Sequence, residues 1–294
     1  MQSAAPRLAR AKINLSLRVV GRRPAGDAKA GYHLLDSLVA FADAGDRLTV
    51  APAPALALTL SGPFAGALSG EGDNLVLRAA RALAEAVGRV PNLAFHLEKN
   101  LPVSSGIGGG SADAAAALQA LARCWNLAEE EVDLAGLGLG LGADLPVCLQ
   151  GHPTRLRGIG ETLQRVPALP PAWLVLANPG QGLATPAVFA ERTQPFSVPL
   201  DPPETGFGDA RAMADFVRLA GNDLTAAASR LCPAIPPLLA ALAELEGALV
   251  SALSGSGATC FALFADQAAA EEGAARLRSE GIAPWVLAAA LSRS

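Results

Sequence analysis

Residues 103–118 read VSSGIGGGSADAAAAL, and the organisation of the rest of the chain follows from how this stretch is read. Gly106, Gly108, Gly109 and Gly110 stand between serines, and an alanine-rich segment follows. That pattern predicts a loop feeding a helix N-terminus. Such a junction suits an anion, because unpaired backbone N–H groups and the helix dipole both point outward. Ser104, Ser105 and Ser111 add hydroxyl donors. The stretch holds no lysine, and Gly-Lys occurs nowhere in the chain, so the P-loop pattern is excluded. A dinucleotide fingerprint also fits poorly, since the third glycine is missing from its place. By itself the motif reads as readily as a close-packed turn where a helix meets a sheet.

Composition narrows the function classes. A chain of 294 residues makes one large or two modest domains, and 51% hydrophobic residues supply a sizeable core. A net charge of −4 argues against a general nucleic-acid or anionic-membrane binder. At 4% aromatic residues, no broad base-stacking platform is expected. Cys124, Cys148, Cys232 and Cys260 are far apart and form no C-x-x-C, so neither a zinc site nor a disulfide framework is expected, and a reducing cytoplasm fits. The N-terminal segment lacks an uninterrupted apolar run, so no signal peptide is expected. The uncharged window 248–265 is centred on SGSG, which suits a tight loop between two buried strands better than a membrane helix. A soluble protein is expected.

Of 23 basic residues only three are lysines: Lys12, Lys29 and Lys99. Surface charge is written here as arginine, so a remaining lysine is a candidate for work that needs a compact, flexible point charge. Lys12 lies in a segment, 11–20, that alternates cleanly. Ile13, Leu15, Leu17 and Val19 share one face; Lys12, Asn14, Ser16 and Arg18 share the other. This predicts a half-buried strand with Lys12 and Asn14 about 7 Å apart on its polar face. Lys29 falls in the turn-rich link GRRPAGDAKAG and reads as a solvated charge.

Further strands are predicted near 35–42, 46–51 and 56–60. Asn74 caps a helix over 75–87, and 93–97 alternates as a strand that leaves His96 outward. After the glycine loop a helix spans 111–125. A second begins at the acidic run 129–131 and ends by Asp144, before a strand-like LPVCL. Then come a buried strand at 173–177, helices near 185–192, 209–219, 222–231 and 234–246, two strands around SGSG (254–257), a helix at 266–279 and a last strand, WVLAAA. Segment 195–203 is a proline-rich loop. Interleaved strands and helices argue for α/β or α+β architecture, in two lobes.

Taken together, AKINLSL, GYHLLDSL, GDNLVLRAARAL, LPVSSGIGGGSADAAAAL, GADLPVCL and LSGSGATCFALF, in this order, resemble the GHMP kinases over residues 9–280. GYH, GIGGGSADAA and GADLP point to the branch that acts on a cytidine-diphosphate-linked sugar alcohol. The resemblance implies an α+β fold, with an N-terminal lobe similar to ribosomal protein S5 domain 2 (1–155) and a ferredoxin-like C-terminal lobe (156–294). It implies ATP-dependent phosphorylation of the 2-hydroxyl of cytidine-diphosphate-linked methylerythritol, in the non-mevalonate route to isoprenoid precursors. Lys12 and Asp144 match the catalytic pair. Pro102, Val103, Ser104, Ser105, Gly106, Ile107, Gly108, Gly109, Gly110, Ser111 and Ala112 match the ATP phosphate loop, with Asn74 and Lys99 on the nucleotide side. Asn14, Tyr32, His33, Thr185 and Phe189 match positions that handle the cytidine substrate. Mg²⁺ on the phosphates is expected, held mostly by ATP and water, with no protein metal ligand assigned. No nucleic-acid or membrane partner is expected.

Three features depart from the branch. The link between Arg23 and Gly31 is longer than usual, Ser104-Ser105 replaces small apolar or glycine residues, and Ala30 stands where an aspartate often precedes Gly-Tyr-His. Two rival readings stay open at this level: another GHMP small-molecule kinase of homoserine or mevalonate type, and a catalytically inactive GHMP-like binding protein.

Overall fold

The computed structural model describes residues 6–27, 29–68 and 74–292. In chain order the strands and helices begin with β1 (Arg7–Asn14), β2 (Arg18–Arg22), β3 (His33–Pro52) and β4 (Ala57–Ser61). These are followed by α1 (Leu75–Ala86), β5 (Leu93–Glu98), α2 (Gly109–Cys124), α3 (Leu134–Leu141) and α4 (Leu145–Gln150). The remainder is β6 (Thr154–Gly158), β7 (Thr162–Arg165), β8 (Trp173–Asn178), α5 (Thr185–Ala190), α6 (Ala210–Ala220), α7 (Thr225–Leu231), α8 (Ile235–Ala243), β9 (Ala248–Leu253), β10 (Cys260–Phe264), α9 (Gln267–Ser279) and β11 (Trp285–Ala290). The architecture is α+β. Gly72 and Asp73, which open the GDNLVLRAARAL motif, lie outside the described residues.

The chain forms two compact units, one from the described parts of 1–11, 44–103 and 108–151, the other from those of 12–43, 104–107 and 152–294. In the first unit the later half of β3 pairs antiparallel with β5, with Val50 opposite Phe95, and β4 adds in parallel to β5. α1 and α2 pack on each other, and their small side chains are what let them approach. The core joins Leu48, Val50 and Phe95 to Val76 and Leu83 of α1 and to the alanine face of α2. Asn74 caps α1 through its side-chain oxygen, which accepts from Val76 N at 2.9 Å.

In the second unit β8, β10, β9 and β11 form an antiparallel sheet in the order β11-β8-β10-β9. Its strands read as near-continuous apolar runs because α6, α8 and α9 cover the sheet. The earlier half of β3 pairs with β2 and with the β6–β7 hairpin, a hairpin that the sequence pattern does not announce.

Four expectations are corrected. The strands expected at 35–42 and 46–51 are one strand, β3, because Asp43–Asp46 continue extended instead of turning. The expected half-buried strand breaks after Asn14, and its polar face is not solvated: Lys12, Asn14 and Ser16 are only 3–4% exposed. The acidic run Glu129–Glu131 forms a single 3-10 turn, and the α-helix starts at Leu134 with Asp133 as its cap, accepting from Gly136 N at 2.8 Å. LPVCL is helix α4, not a strand: Pro146 in its first turn needs no N–H partner there, and a short apolar run carries no period that separates the two.

Candidate active site

The glycine loop is held by its carbonyls. Leu183 N donates to Ser104 O (3.1 Å), Thr259 N to Ser105 O (3.0 Å), Ser254 Oγ to Gly106 O (3.1 Å) and Lys12 N to Ile107 O (2.9 Å). Four consecutive acceptors are thus fixed by β1, the SGSG turn and the segment before α5. Gly106 sits at φ +77°, and a Cβ there would lie 2.5 Å from Ser254 O and 2.7 Å from Gly257 N. The loop and the SGSG turn are therefore in backbone contact, which explains why both are built of small residues.

Within the first unit the loop becomes α2. Gly108 is the N-cap in the left-handed region, and the first intrahelical bond runs from Ala112 N to Gly108 O at 2.8 Å. The N–H groups of Gly109, Gly110 and Ser111 precede that bond and by helix geometry have no acceptor within the helix. Gly110 is exposed, and a Cβ added to it meets nothing within 4 Å. An exposed helix start of this kind is suited to an anion. Ser111 borders it, its hydroxyl 4.0 Å from where a Cβ on Gly142 would stand. Gly142 leads to Asp144, so the GADLP segment borders the start of α2. Asp144 occupies the N-cap position of α4 without capping it through its side chain. Pro102 and Ile107 are buried, Val103 is half-buried and Ser104 is exposed.

Lys99 does not point outward. It is 2% exposed, and its ammonium sits between two buried carboxylates, donating to Asp113 Oδ2 at 2.6 Å and to Asp46 Oδ2. Burial lowers its pKa, but Asp113 and Asp46 outweigh that and the net shift is upward. Burial raises Asp113 to about 8, with Asp46 pushing the same way and Lys99 opposing. Both aspartates were missed by sequence reasoning. The available signal was an ionisable residue, Asp113, at a core position of an alanine-faced helix.

The second unit gathers the residues that match substrate positions in two groups. Asn14 Nδ2 donates to Ser37 Oγ at 2.7 Å, and its backbone N–H donates to Ser254 Oγ at 3.1 Å. Asn14 Oδ1 is buried with no hydrogen-bond partner in the structure. Gly255 keeps space beside it, since a Cβ there would stand 3.1 Å away. A buried acceptor in that condition suits a ligand hydroxyl. Thr185 Oγ1 and Ser256 Oγ lie 2.9 Å apart, tying the start of α5 to the SGSG turn.

His33 and Phe189 form the second group, with Tyr32 next to His33 in the chain. The His33 and Phe189 rings stack with centroids 4.9 Å apart and planes at 23°. Arg22 Nε donates to His33 Nε2 at 3.0 Å. His33 is shifted down by burial, then by Arg22 and Arg192, which keeps its ring neutral at pH 7. Tyr32 is 59% exposed, a large aromatic face in reach of solvent. Asn74, by contrast, has committed its side-chain oxygen to capping α1.

Comparison with known proteins gives a consistent result. The family described as "GHMP kinases N terminal domain" matches residues 74–152, and "GHMP kinases C terminal" matches 205–283. The chain is similar to a protein of Paramagnetospirillum magneticum (strain ATCC 700264 / AMB-1) named 4-diphosphocytidyl-2-C-methyl-D-erythritol kinase, 49% identical over 96% of both chains. A protein of the same name from Paracoccus denitrificans (strain Pd 1222) is 51% identical over 96% of this chain and 95% of its own. Among solved structures, a 4-(cytidine 5'-diphospho)-2C-methyl-D-erythritol kinase superposes with a TM-score of 0.79 at 35% identity, covering 99% of this chain and 100% of its own.

Proposed function

The chain belongs to the GHMP kinases, and within them to the 4-diphosphocytidyl-2-C-methyl-D-erythritol kinase family, and from that premise we propose which of its residues carry the phosphoryl transfer. The reaction is ATP-dependent phosphorylation of the 2-hydroxyl of 4-(cytidine 5'-diphospho)-2-C-methyl-D-erythritol, in isoprenoid biosynthesis. Relatives of this name at about half identity over nearly the whole chain disfavour the homoserine, mevalonate and inactive-protein readings.

The glycine loop and the start of α2 hold the ATP phosphates, and this is the assignment on which the others depend. It is supported by one observation above all: an exposed helix start whose first N–H groups lie ahead of the first intrahelical bond, with open space at Gly110. Asn74 and Lys99 belong to the same nucleotide side, Lys99 from beneath the loop. Phosphoryl transfer passes through a loose transition state, so the protein contributes mainly position and charge. Asp144 accepts the proton of the attacking hydroxyl and aims it, and Lys12 neutralises charge on the group in transit. Asn14 Oδ1 takes a substrate hydroxyl. Tyr32, His33 and Phe189 hold the cytosine, and Thr185 borders it.

Mg²⁺, when bound, offsets phosphate charge. Among the described residues no group of three or more His, Cys, Asp or Glu is placed to hold a metal. In this reading ATP and water supply most ligands, as is usual for this ion, with the Ser111 hydroxyl at the loop's edge. No helix among the described residues is long and apolar enough to cross a membrane, and the reading places the enzyme with the cytoplasmic ATP pool. In the same reading 1–155 form the N-terminal lobe and 156–294 the C-terminal lobe.

The test is ATP consumption by the purified protein with Mg²⁺ and the cytidine-diphosphate substrate, measured beside homoserine and mevalonate. Turnover with the first alone is expected. Turnover with either of the others instead would overturn the branch.

A further inference from the structure

We propose that Asp46, Lys99 and Asp113 form a buried ion cluster that positions the glycine loop and sets the charge beneath it, acting on nucleotide binding without touching the nucleotide. The proposal rests on the loop being the phosphate site.

Three pieces of chain meet at the cluster. Asp46 comes from β3, Lys99 from the residue after β5, and Asp113 from the second turn of α2. Asp46 Oδ1 accepts the N–H groups of Asn100 (2.5 Å) and Leu101 (2.9 Å), so one carboxylate fixes the chain that enters the loop at Pro102. The main chain of Lys99 is clamped as well: its N–H donates to Ser61 O at 2.8 Å and its carbonyl accepts from Phe64 N at 3.2 Å. All three residues are between 0% and 2% exposed. The cluster also reaches the loop backbone. A Cβ on Gly109 would stand 3.6 Å from Lys99 Nζ and 3.7 Å from Asp46 Oδ2. Gly109 therefore rests on the ions, one residue from the opening at Gly110.

The charge count gives the cluster a role beyond fastening. One ammonium faces two carboxylates, and Asp113 Oδ1 is buried with no partner. With Asp113 protonated the cluster is neutral. With Asp113 ionised it carries one net negative charge directly beneath donors that must attract phosphate. The charged groups bearing on Asp113 are Lys99 and Asp46. Of the helices packed on α2, α1 turns Val76, Ala79, Ala80, Leu83 and Ala84 inward and keeps Arg78, Arg81 and Glu85 exposed, and α4 has Cys148 as its only ionisable side chain. A purely structural clamp would change stability alone. A clamp that also sets charge changes the KM for ATP selectively and with pH.

The experiment uses steady-state kinetics and thermal melting on the full chain. Lys99→Met at pH 7.5 is expected to raise the KM for ATP tenfold or more while the KM for the cytidine substrate stays within twofold. In the wild type the KM for ATP is expected to rise at least threefold from pH 7 to pH 9, and in Asp113→Asn to stay flat. If Lys99→Met does not fold, the Asp113→Asn profile decides. Equal changes in both KM values, or the same pH profile in wild type and Asp113→Asn, would overturn the proposal. Gly110→Leu, which fills the opening, separates the two levels. If it raises the KM for ATP while the cluster variants do not, the cluster has no such role. If it leaves that KM unchanged, the phosphate-site reading falls, and this inference with it.

Discussion

Replacing Gly106 by alanine tests the contact on which the geometry of the loop depends. The residue sits at φ +77°, where an L side chain costs about 1–2 kcal/mol. The added Cβ would stand 2.5 Å from Ser254 O, 2.7 Å from Gly257 N and 2.8 Å from Gly257 O. All three are backbone atoms, so no side chain can swing aside and the loop must lift from the SGSG turn. Lifting loses the bonds from Ser254 Oγ to Gly106 O and from Thr259 N to Ser105 O, at about 1 kcal/mol each. The total is about 3–4 kcal/mol, which at about 2.1 cal/mol/K of unfolding entropy per residue lowers the melting temperature by about 5–6 °C for a chain of this size. Because the same lift displaces the donors at the start of α2, the KM for ATP should rise with it. Gly110→Ala provides the contrast: its Cβ meets nothing within 4 Å, so stability should hold or gain about 0.5–1 kcal/mol. Differential scanning fluorimetry and ATP titration on both variants read the effect. If Gly106→Ala melts within about 2 °C of the wild type, the reasoning from backbone contact is wrong.

Three further outcomes are expected. Asp144→Asn should cut kcat by about a hundredfold or more with little change in ATP binding, and an unchanged kcat would remove Asp144 from the chemistry. Phe189→Ala removes a stacking face worth about 1–3 kcal/mol, so the KM for the cytidine substrate should rise about 5- to 150-fold. A selective loss of ATP binding instead would place Phe189 on the wrong side. Burial holds the Asp113 carboxyl up at about 8, well above the ordinary value of 3.8, so the folded state holds a proton that the unfolded chain releases. The stability that this proton provides is complete below about pH 4 and is lost as pH rises through about 8. The melting temperature of the wild type relative to Asp113→Asn should therefore fall between pH 5 and pH 9, and a constant difference would refute the assignment.

What could be read from sequence depended on whether a local pattern or a distant partner decides. The cap at Asn74, the alternation of β5 and the paired strands around SGSG are local, and each appears where its pattern places it. LPVCL failed because five apolar residues fit a strand or a turn of helix equally well, and packing against α2 and α3 chose the helix. The polar face of β1 failed for a related reason. Alternation shows which residues differ, not which are solvated, and Asn14 and Ser16 are buried because Ser37 and Ser254 arrive from remote segments to pair with that strand. Lys99 was legible as an exceptional lysine. Its partners were not, since Asp46 lies 53 residues before it and reaches it only through the pairing of β3 with β5.

The structure also changes the account of a phosphate loop without its own lysine. The family resemblance puts two lysines near the phosphates from outside the loop, Lys99 on the nucleotide side and Lys12 in the catalytic pair. Lys99 cannot serve as a net source, because its ammonium is matched by Asp46 before Asp113 is counted, and the cluster is at best neutral. In the proposed reading the attraction for ATP then comes from Lys12, from N–H donors, from the dipole of α2 and from the metal carried by the nucleotide. A P-loop lysine follows the phosphates as a flexible point charge and tolerates small errors in loop geometry. Fixed backbone donors do not. That difference gives a physical reason for the rigidity seen here: four consecutive carbonyls anchored, a glycine pressed against backbone, and a buried ion cluster under the helix start. On the proposed reading, a loop without its own lysine depends on its placement, and the residues that secure that placement belong to nucleotide binding as much as those that face the phosphate.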